Sequence, residues 1–195
     1  MEQKTLAEDS VMEAIINDSL NVLKTHVENS AASYVFDCDQ LHTAVQHNSI
    51  AVLKWSVNQK VKRHAITGWQ KEEEWIEAAY HMCLLATRMG HTSLLEWLLT
   101  GEHWELFSEA YPDYCLCEEA ATHYQWDTLR FLVERGAQGV HCEKTRRYVQ
   151  QVLDECISET GRLKNRRVQR HLILLKQDIC IMLEDFKVLQ TSRDD

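Results

Sequence analysis

The densest group of potential metal ligands is the pair Cys115 and Cys117, with His123 six residues further along the chain. A second pair, His141 and Cys142, follows it. Thiolate and imidazole are ligands that zinc prefers, but structural zinc sites usually contain cysteine pairs separated by two to four residues. A single residue separates Cys115 from Cys117. We therefore predict that the protein holds no metal ion and no other cofactor.

Catalysis by a nucleophile needs a base and an orienting group that the fold brings together. The ten histidines and seven cysteines offer many chance pairings, and none of them stands out. The chain contains no His-Glu-x-x-His motif and no glycine-rich phosphate-binding loop. We therefore predict that the protein is not an enzyme.

The composition points to a helical protein inside the cell. The chain has 195 residues, of which one is proline and six are glycine, far fewer than the turns of β architectures require. No apolar run exceeds five residues, whereas a membrane helix needs about 20. The first residues lack the apolar core of a signal peptide, and an odd number of cysteines suits reduced thiols. We expect no membrane association and a cytoplasmic location, with the nucleus as the alternative.

Charge is distributed unevenly along the chain, whose formal net charge is −9. Residues 144–176 contain nine basic and three acidic side chains, which gives this segment +6 and leaves −15 for the remainder. Such an acidic body repels a phosphate backbone. We expect no nucleic-acid binding except through residues 144–176. The simpler interpretation is that this basic segment docks on the acidic body of its own chain.

One pattern occurs four times and predicts the fold. Each copy has an alanine, a polar, glycine or aromatic residue four positions later, and a leucine nine positions after the alanine. The alanines are Ala14, Ala44, Ala86 and Ala120; the break residues are Asp18, Asn48, Gly90 and Tyr124; the leucines are Leu23, Leu53, Leu95 and Leu129. We interpret each copy as a short helix, a tight turn and a second helix that runs back along the first. The small alanine lets the two helix backbones approach closely.

The chain resembles the ankyrin-repeat family, in particular the divergent repeats of protists and large viruses. The resemblance rests on the Leu-His-x-Ala sequence that ends at Ala44, on Gly90-His91, on the double alanine that begins at Ala120, and on a Gly-Ala pair at Gly136. The copies are 30, 42 and 34 residues apart, which brackets the repeat of about 33 residues in that family. The resemblance implies an all-α solenoid of about four helix pairs over residues 1–143.

The remaining 52 residues, 144–195, are predicted to form two capping helices. Residues 147–159 form an amphipathic stripe that Thr160-Gly161 ends, and the second helix carries a heptad seam from Val168 to Leu189. Off-seam apolar residues such as Leu174 and Ile181 would be exposed in a two-stranded coiled coil. Capping of the stack would bury more of them, so we favour a monomer over a homodimer. An insertion at about residues 60–81, with a helix over 69–80, enlarges one loop.

The segments that link the helix pairs are predicted to bind a partner. We place these loops at residues 34–40, 60–75, 103–114 and 137–143, where aromatic side chains are frequent. Aromatic residues contribute much of the energy at protein interfaces. The acidic residues among them indicate a partner with a basic surface. The candidate binding residues are Trp69, Glu72, Glu73, Trp75, Glu105, Tyr111, Asp113 and Tyr114.

These observations predict a non-catalytic protein–protein interaction module that acts as an adaptor, scaffold or inhibitor. The alternative is a subunit of a large nucleic-acid-associated complex that uses residues 144–176. Salt dependence separates the two functions, because binding to phosphates through several arginines weakens steeply with added salt.

Overall fold

The computed structural model describes residues 10–29, 36–67, 72–100, 114–135 and 143–191, and within them the chain forms helices and no strand. Helix α1 covers residues 10–16. The others are α2 (Leu20–Asn29), α3 (Cys38–Gln46), α4 (Ile50–Thr67), α5 (Glu72–Met89), α6 (Thr92–Thr100), α7 (Tyr114–Thr122), α8 (Trp126–Glu134), α9 (Glu143–Arg162) and α10 (Arg166–Thr191). The predicted all-α class is confirmed for this part of the chain.

A residue with left-handed backbone conformation separates the two helices of each successive pair. The φ angles are 49° at Asp18, 54° at Asn48, 73° at Gly90, 58° at Tyr124 and 55° at Lys164. The first four are the break residues of the repeated sequence pattern. Asparagine, aspartate and glycine tolerate this conformation, whereas it costs tyrosine and lysine about 1 kcal/mol.

The same hydrogen bonds close these turns. At Tyr124, the backbone N–H donates to the carbonyl of Ala121 at 3.0 Å, and the N–H of Gln125 donates to the carbonyl of Ala120 at 2.8 Å. Equivalent bonds occur at Asp18, Asn48 and Lys164. This pair of bonds is the Schellman motif, which satisfies carbonyls that the end of a helix leaves without intrahelical partners. At Asp18, Asn48 and Tyr124, the recurring alanine is therefore the residue whose carbonyl accepts the outer of the two bonds.

The turn at Lys164 was not predicted. The sequence indicated a helix over residues 147–159 that ends at Thr160-Gly161, but α9 begins at Glu143 and continues to Arg162. Gly161 is helical, and the left-handed residue is Lys164, four positions after Thr160. Thr160 thus takes the place that alanine has in the other pairs, and its carbonyl accepts from the N–H of Asn165 at 3.1 Å.

The predicted loop at residues 60–75 is largely helical. Helix α4 continues to Thr67, and α5 begins at Glu72 and extends without interruption to Met89. The helix predicted over residues 69–80 is confirmed from residue 72 onward. It is an N-terminal extension of the helix that contains Ala86, because no residue between 72 and 89 breaks the helical backbone.

The helices belong to two compact units. The first comprises residues 1–86 and 93–107, and the second comprises residues 87–92 and 108–195. The sequence-predicted boundary at residue 143 falls within the second unit.

In the first unit, α2 and α3 both pack against α4. Its core is aliphatic and includes the repeat leucines Leu23, Leu53 and Leu95, each fully shielded from solvent. The buried ring of Phe36 meets the ring of Trp55 edge-on, with centroids 6.1 Å apart. These contacts place the first two helix pairs side by side.

Polar contacts at the turns join these two pairs. The buried hydroxyl of Ser49 donates to the carbonyl of Ile15 at 2.6 Å. The carboxylate of Asp18 accepts from the N–H of Val52 at 2.9 Å and from the N–H of Ala51 at 3.3 Å. Asp18 thus shapes its own turn and also caps the first turn of α4 in the next pair.

Replacing Asp18 with glycine should lower the free energy of unfolding by about 1 kcal/mol more than the control substitution does, because two hydrogen bonds to the carboxylate are lost. Glycine accepts the left-handed backbone at both positions, so the difference between the two variants isolates the cap. The control is Asn48→Gly, at a nearly equal φ and with no hydrogen bond from the side chain among the described residues. Urea titration of both variants measures the difference. Equal stabilities of the two variants would show that the cap contributes nothing.

In the second unit, two helix pairs lie side by side. Helix α7 packs against α8 and α9, and α10 packs against α9 and α8. The first helices of the two pairs are therefore neighbours, and so are the second helices. The side chain of Gln125 donates to the carbonyl of Arg88 at 2.8 Å, and the hydroxyls of Thr92 and Thr128 share a hydrogen bond of 2.8 Å. Turn-to-turn contacts of the kind seen in the first unit thus recur here.

The seam of α10 is buried within the chain. Leu172, Leu175 and Ile179 are at most 4% exposed, as expected for a capping helix. The start of the seam differs, because Val168 is 41% exposed. The expectation that capping also covers Leu174 is wrong: its side chain is 60% exposed, because the neighbours α8 and α9 both lie on the seam side.

Leu175→Asp should unfold the second unit or make the protein aggregate, because an unpaired charge in a core costs several kcal/mol. The neighbouring substitution Leu174→Asp is the matched control. Its side chain is exposed, so the variant should remain folded and soluble. Sedimentation and circular dichroism separate the outcomes, and a folded monomeric Leu175→Asp variant obtained from a wild-type dimer would instead identify the seam as a dimer interface.

Candidate interaction surface

The partner-binding residues predicted from the sequence are not tested by the structure. Trp69, Glu105, Tyr111 and Asp113 lie outside the described residues. Glu72, Glu73 and Trp75 lie in α5 and Tyr114 begins α7, but their side chains are outside the described part. Their role in binding stays a prediction, whereas their assignment to loops is corrected for these last four, whose backbone is helical.

The buried polar residues of the described core take part in helix packing. Its buried polar residues carry hydroxyls only: Ser49, Ser56, Thr87, Thr128 and Thr145. Thr145 donates to a carboxylate oxygen of Glu118 at 2.8 Å, and Ser56 donates to the carbonyl of Leu53 at 2.9 Å. These hydroxyls tie helices to one another or to their own backbone, which is a structural role.

Metal ligands are likewise dispersed. Among the described residues, no three His, Cys, Asp or Glu side chains lie close enough together to hold a metal ion. Cys117, from the densest ligand group of the sequence, is 1% exposed and belongs to the core. Its position in α7 makes it a small apolar residue of the helix interface.

Cys156 lies half-buried on α9. Burial raises the pKa of its thiol, and the negative charges of Glu159 and Glu155 raise it further. The thiolate, which is the reactive form, therefore appears only at a higher pH than in an ordinary cysteine.

Cys156 should react with a maleimide at pH 7.5 more slowly than a cysteine in an unfolded peptide. Replacing Glu155 and Glu159 with glutamine should increase the rate, because the two nearby negative charges are removed while the burial stays. Time-resolved labelling, read by mass spectrometry of the peptide that contains Cys156, measures the change. An unchanged rate in the double variant would contradict the electrostatic part of this explanation.

A cluster of cations occupies the turn between α9 and α10. We call it the basic tip, and it consists of Arg162, Lys164, Arg166, Arg167 and Arg170. All five side chains are exposed, and residues 160–177 contain no acidic residue. Two hydrogen bonds hold this turn. The N–H of Lys164 donates to the carbonyl of Gly161 at 3.1 Å, and the side-chain oxygen of Asn165 accepts from the N–H of Val168 at 3.3 Å.

Several described arginines outside the basic tip pair with carboxylates. Arg130 pairs with Glu134 at 2.7 Å, Arg146 and Arg147 both pair with Glu143 at 2.9 Å, and Arg88 pairs with Glu119. Lys176, just beyond the tip, pairs with Asp154. Within the described residues, no carboxylate pairs with any of the five cations of the tip. In the described part of the chain, the five cations of the tip therefore differ from Lys176, whose ammonium group has a carboxylate partner.

Apolar side chains are exposed beside these cations. Leu163 is 79% exposed, Leu174 is 60% exposed and Ile181 is 57% exposed. Leu174 and Ile181 are seven residues apart on α10, so they lie on the same face of the helix. Sequence reasoning identified the basic segment but expected these residues of α10 to be covered. One feature of the sequence does indicate the basic tip: none of the 18 residues from 160 to 177 is acidic.

Comparison with protein-family models, with characterised proteins and with solved structures finds no match. In the described part of the chain, every helix is too short or too polar to cross a membrane.

Proposed function

We propose that the protein is a non-catalytic protein–protein interaction module, which acts as an adaptor, scaffold or inhibitor by covering a surface of its partner. The observation that carries the proposal is the recurrence of one helix–turn–helix unit, closed by the same hydrogen bonds at Asp18, Asn48, Tyr124 and Lys164. Helical units of this kind form rigid scaffolds that present the segments between them to a partner.

The resemblance to ankyrin repeats supports the same proposal. It implies that binding uses the segments between the helix pairs and the first helix of each pair. In this chain those segments contain the aromatic and acidic set named above, from Trp69 to Tyr114. Large aromatic side chains provide contact area, and the carboxylates among them favour a partner with a basic surface.

The buried residues agree with a binding protein. Catalytic acids and bases are typically ionisable side chains with strongly shifted pKa values in a cleft. In the described core, the buried polar residues are serines and threonines that stabilise the helices. The interior of the described part therefore serves to hold its helix pairs together, and we assign the function to the surface.

Affinity purification of the tagged full chain, followed by mass spectrometry, tests the proposal. The variant Trp69→Ala with Tyr111→Ala should lose at least about tenfold of the specific partner signal, since truncating two central aromatic residues typically costs more than 1 kcal/mol each. The control is Tyr124→Asn, which removes an aromatic that is 60% exposed at a turn where asparagine accepts the left-handed backbone. The control should bind like the wild type. If the wild type, the double alanine variant and the control captured the partner equally, the assignment of Trp69 and Tyr111 to the binding surface would be wrong.

A further inference from the structure

We propose that the basic tip and the exposed stripe of α10 form a second docking surface, which binds an acidic amphipathic helix of a partner protein. This surface shares no residue with the acidic, aromatic set of the proposed function and has the opposite charge. The two surfaces therefore select different partners.

The first argument is electrostatic. The chain carries −9 overall and contains 30 acidic residues, yet its fold leaves five neighbouring cations without a carboxylate in the described part. Other arginines of the same unit are paired, including Arg88, Arg130, Arg146 and Arg147. Because like charges repel one another, a compact group of five cations is stabilised by an anionic partner.

The second argument is the shape of the exposed stripe. Arg167, Leu174 and Ile181 follow one another at intervals of seven residues, and Arg170 lies four residues before Leu174. This spacing places them along one face of α10, and it is the spacing with which one helix contacts another along its length. The stripe from Arg167 to Ile181 contains 15 residues and is about 21 Å long. A partner helix of about four turns matches that length.

The third argument is the order of the residues along the stripe. Its beginning, at the tip, is cationic, and its later part presents the apolar side chains of Leu174 and Ile181, with the exposed Asp178 between them. A partner helix with carboxylates at one end and leucine or isoleucine side chains at the other complements both parts. Leu163, exposed in the turn itself, adds an apolar contact within the basic tip.

The apolar part also distinguishes a protein partner from a polyanion. A phosphate backbone offers charge but no apolar surface for Leu174 and Ile181. The remainder of the chain carries −15 outside residues 144–176, and this net negative charge disfavours binding to a nucleic acid or an anionic membrane. A single helix can contact the tip and stripe alone.

The test uses the full chain and a labelled synthetic peptide of about four helical turns, with leucines at heptad spacing and glutamates over one half. A second peptide has glutamine in place of each glutamate. Fluorescence anisotropy should show at least about tenfold weaker binding of the glutamine peptide, because the charge-assisted contacts to the arginines are lost. No binding of the glutamate peptide, or equal binding of both peptides, would overturn the proposal.

Matched variants locate the site. Arg167→Glu with Arg170→Glu should weaken binding of the glutamate peptide at least about tenfold, and Leu174→Ser with Ile181→Ser should have a comparable effect through lost apolar burial. The control is Lys24→Glu with Lys144→Glu, two exposed residues of α2 and α9, which changes the net charge equally. It should bind within about twofold of the wild type. If the control and the arginine variant lost equal affinity for the glutamate peptide, the effect would come from overall charge, and the proposed site would be wrong.

Two further measurements exclude other occupants. Binding of a DNA duplex or of phosphatidylserine-containing vesicles that is tighter than peptide binding and sensitive to Arg167→Glu with Arg170→Glu would replace the proposal with a polyanion site. Self-association in sedimentation that Leu174→Ser with Ile181→Ser abolishes would identify a second copy of the chain as the occupant.

Unchanged circular dichroism of each variant ensures that a loss of binding is not a loss of fold. These variants leave Trp69 and Tyr111 intact. A negative result for this second surface can therefore be distinguished from a negative result for the proposed function.

Discussion

The left-handed residue between paired helices is the constraint on which the rest of the described structure depends. Reversing the chain within two residues requires a positive φ, and it also leaves carbonyls at the end of the first helix without partners. The Schellman bonds solve both problems at the same place, as the turn at Tyr124 illustrates. The next helix can then begin at once: Trp126 is its first residue, and its N–H donates to the carbonyl of Tyr124 at 3.1 Å. Chain reversal and close packing of the two helices thus follow from one local arrangement.

Contacts between neighbouring pairs depend on the same turns. Ser49 and Gln125 each follow a left-handed residue, and each donates to a carbonyl near the end of the first helix in the preceding pair. Their positions are fixed by their own turns, so the hydroxyl and the amide reach the neighbour without further ordering of the chain. Apolar burial then completes the interface, with Leu23 and Leu53 in the first unit and Leu129 and Leu153 in the second.

The sequence predicted the helical class and four of the five turns described in the structure, because alanine, break residue and leucine recur at fixed intervals. The fifth turn escaped because its pair has Thr160 in place of alanine and Gln169 in place of leucine. Gly161 then suggested a helix end three residues too early, since glycine is common at that position but does not require it. The exposure of Leu174 could not be predicted, because a heptad pattern shows which residues share a face and not how many neighbours cover the other side. The predicted aromatic surface lies outside the described side chains and depends on the sequence alone.

The contacts from Ser49 and Gln125 have a consequence for how such a chain can evolve. Each ends on a backbone carbonyl, so the receiving residue can be of any type. Substitutions at Ile15 and Arg88, whose carbonyls accept these two bonds, therefore leave the bonds in place, provided that the turn keeps its left-handed residue and the interface keeps its volume. A duplicated or deleted pair would meet the same backbone acceptor in its new neighbour. Repeat number and surface chemistry are thus free to drift independently of the joints, and divergence can erase the similarity between copies while the pairs remain side by side.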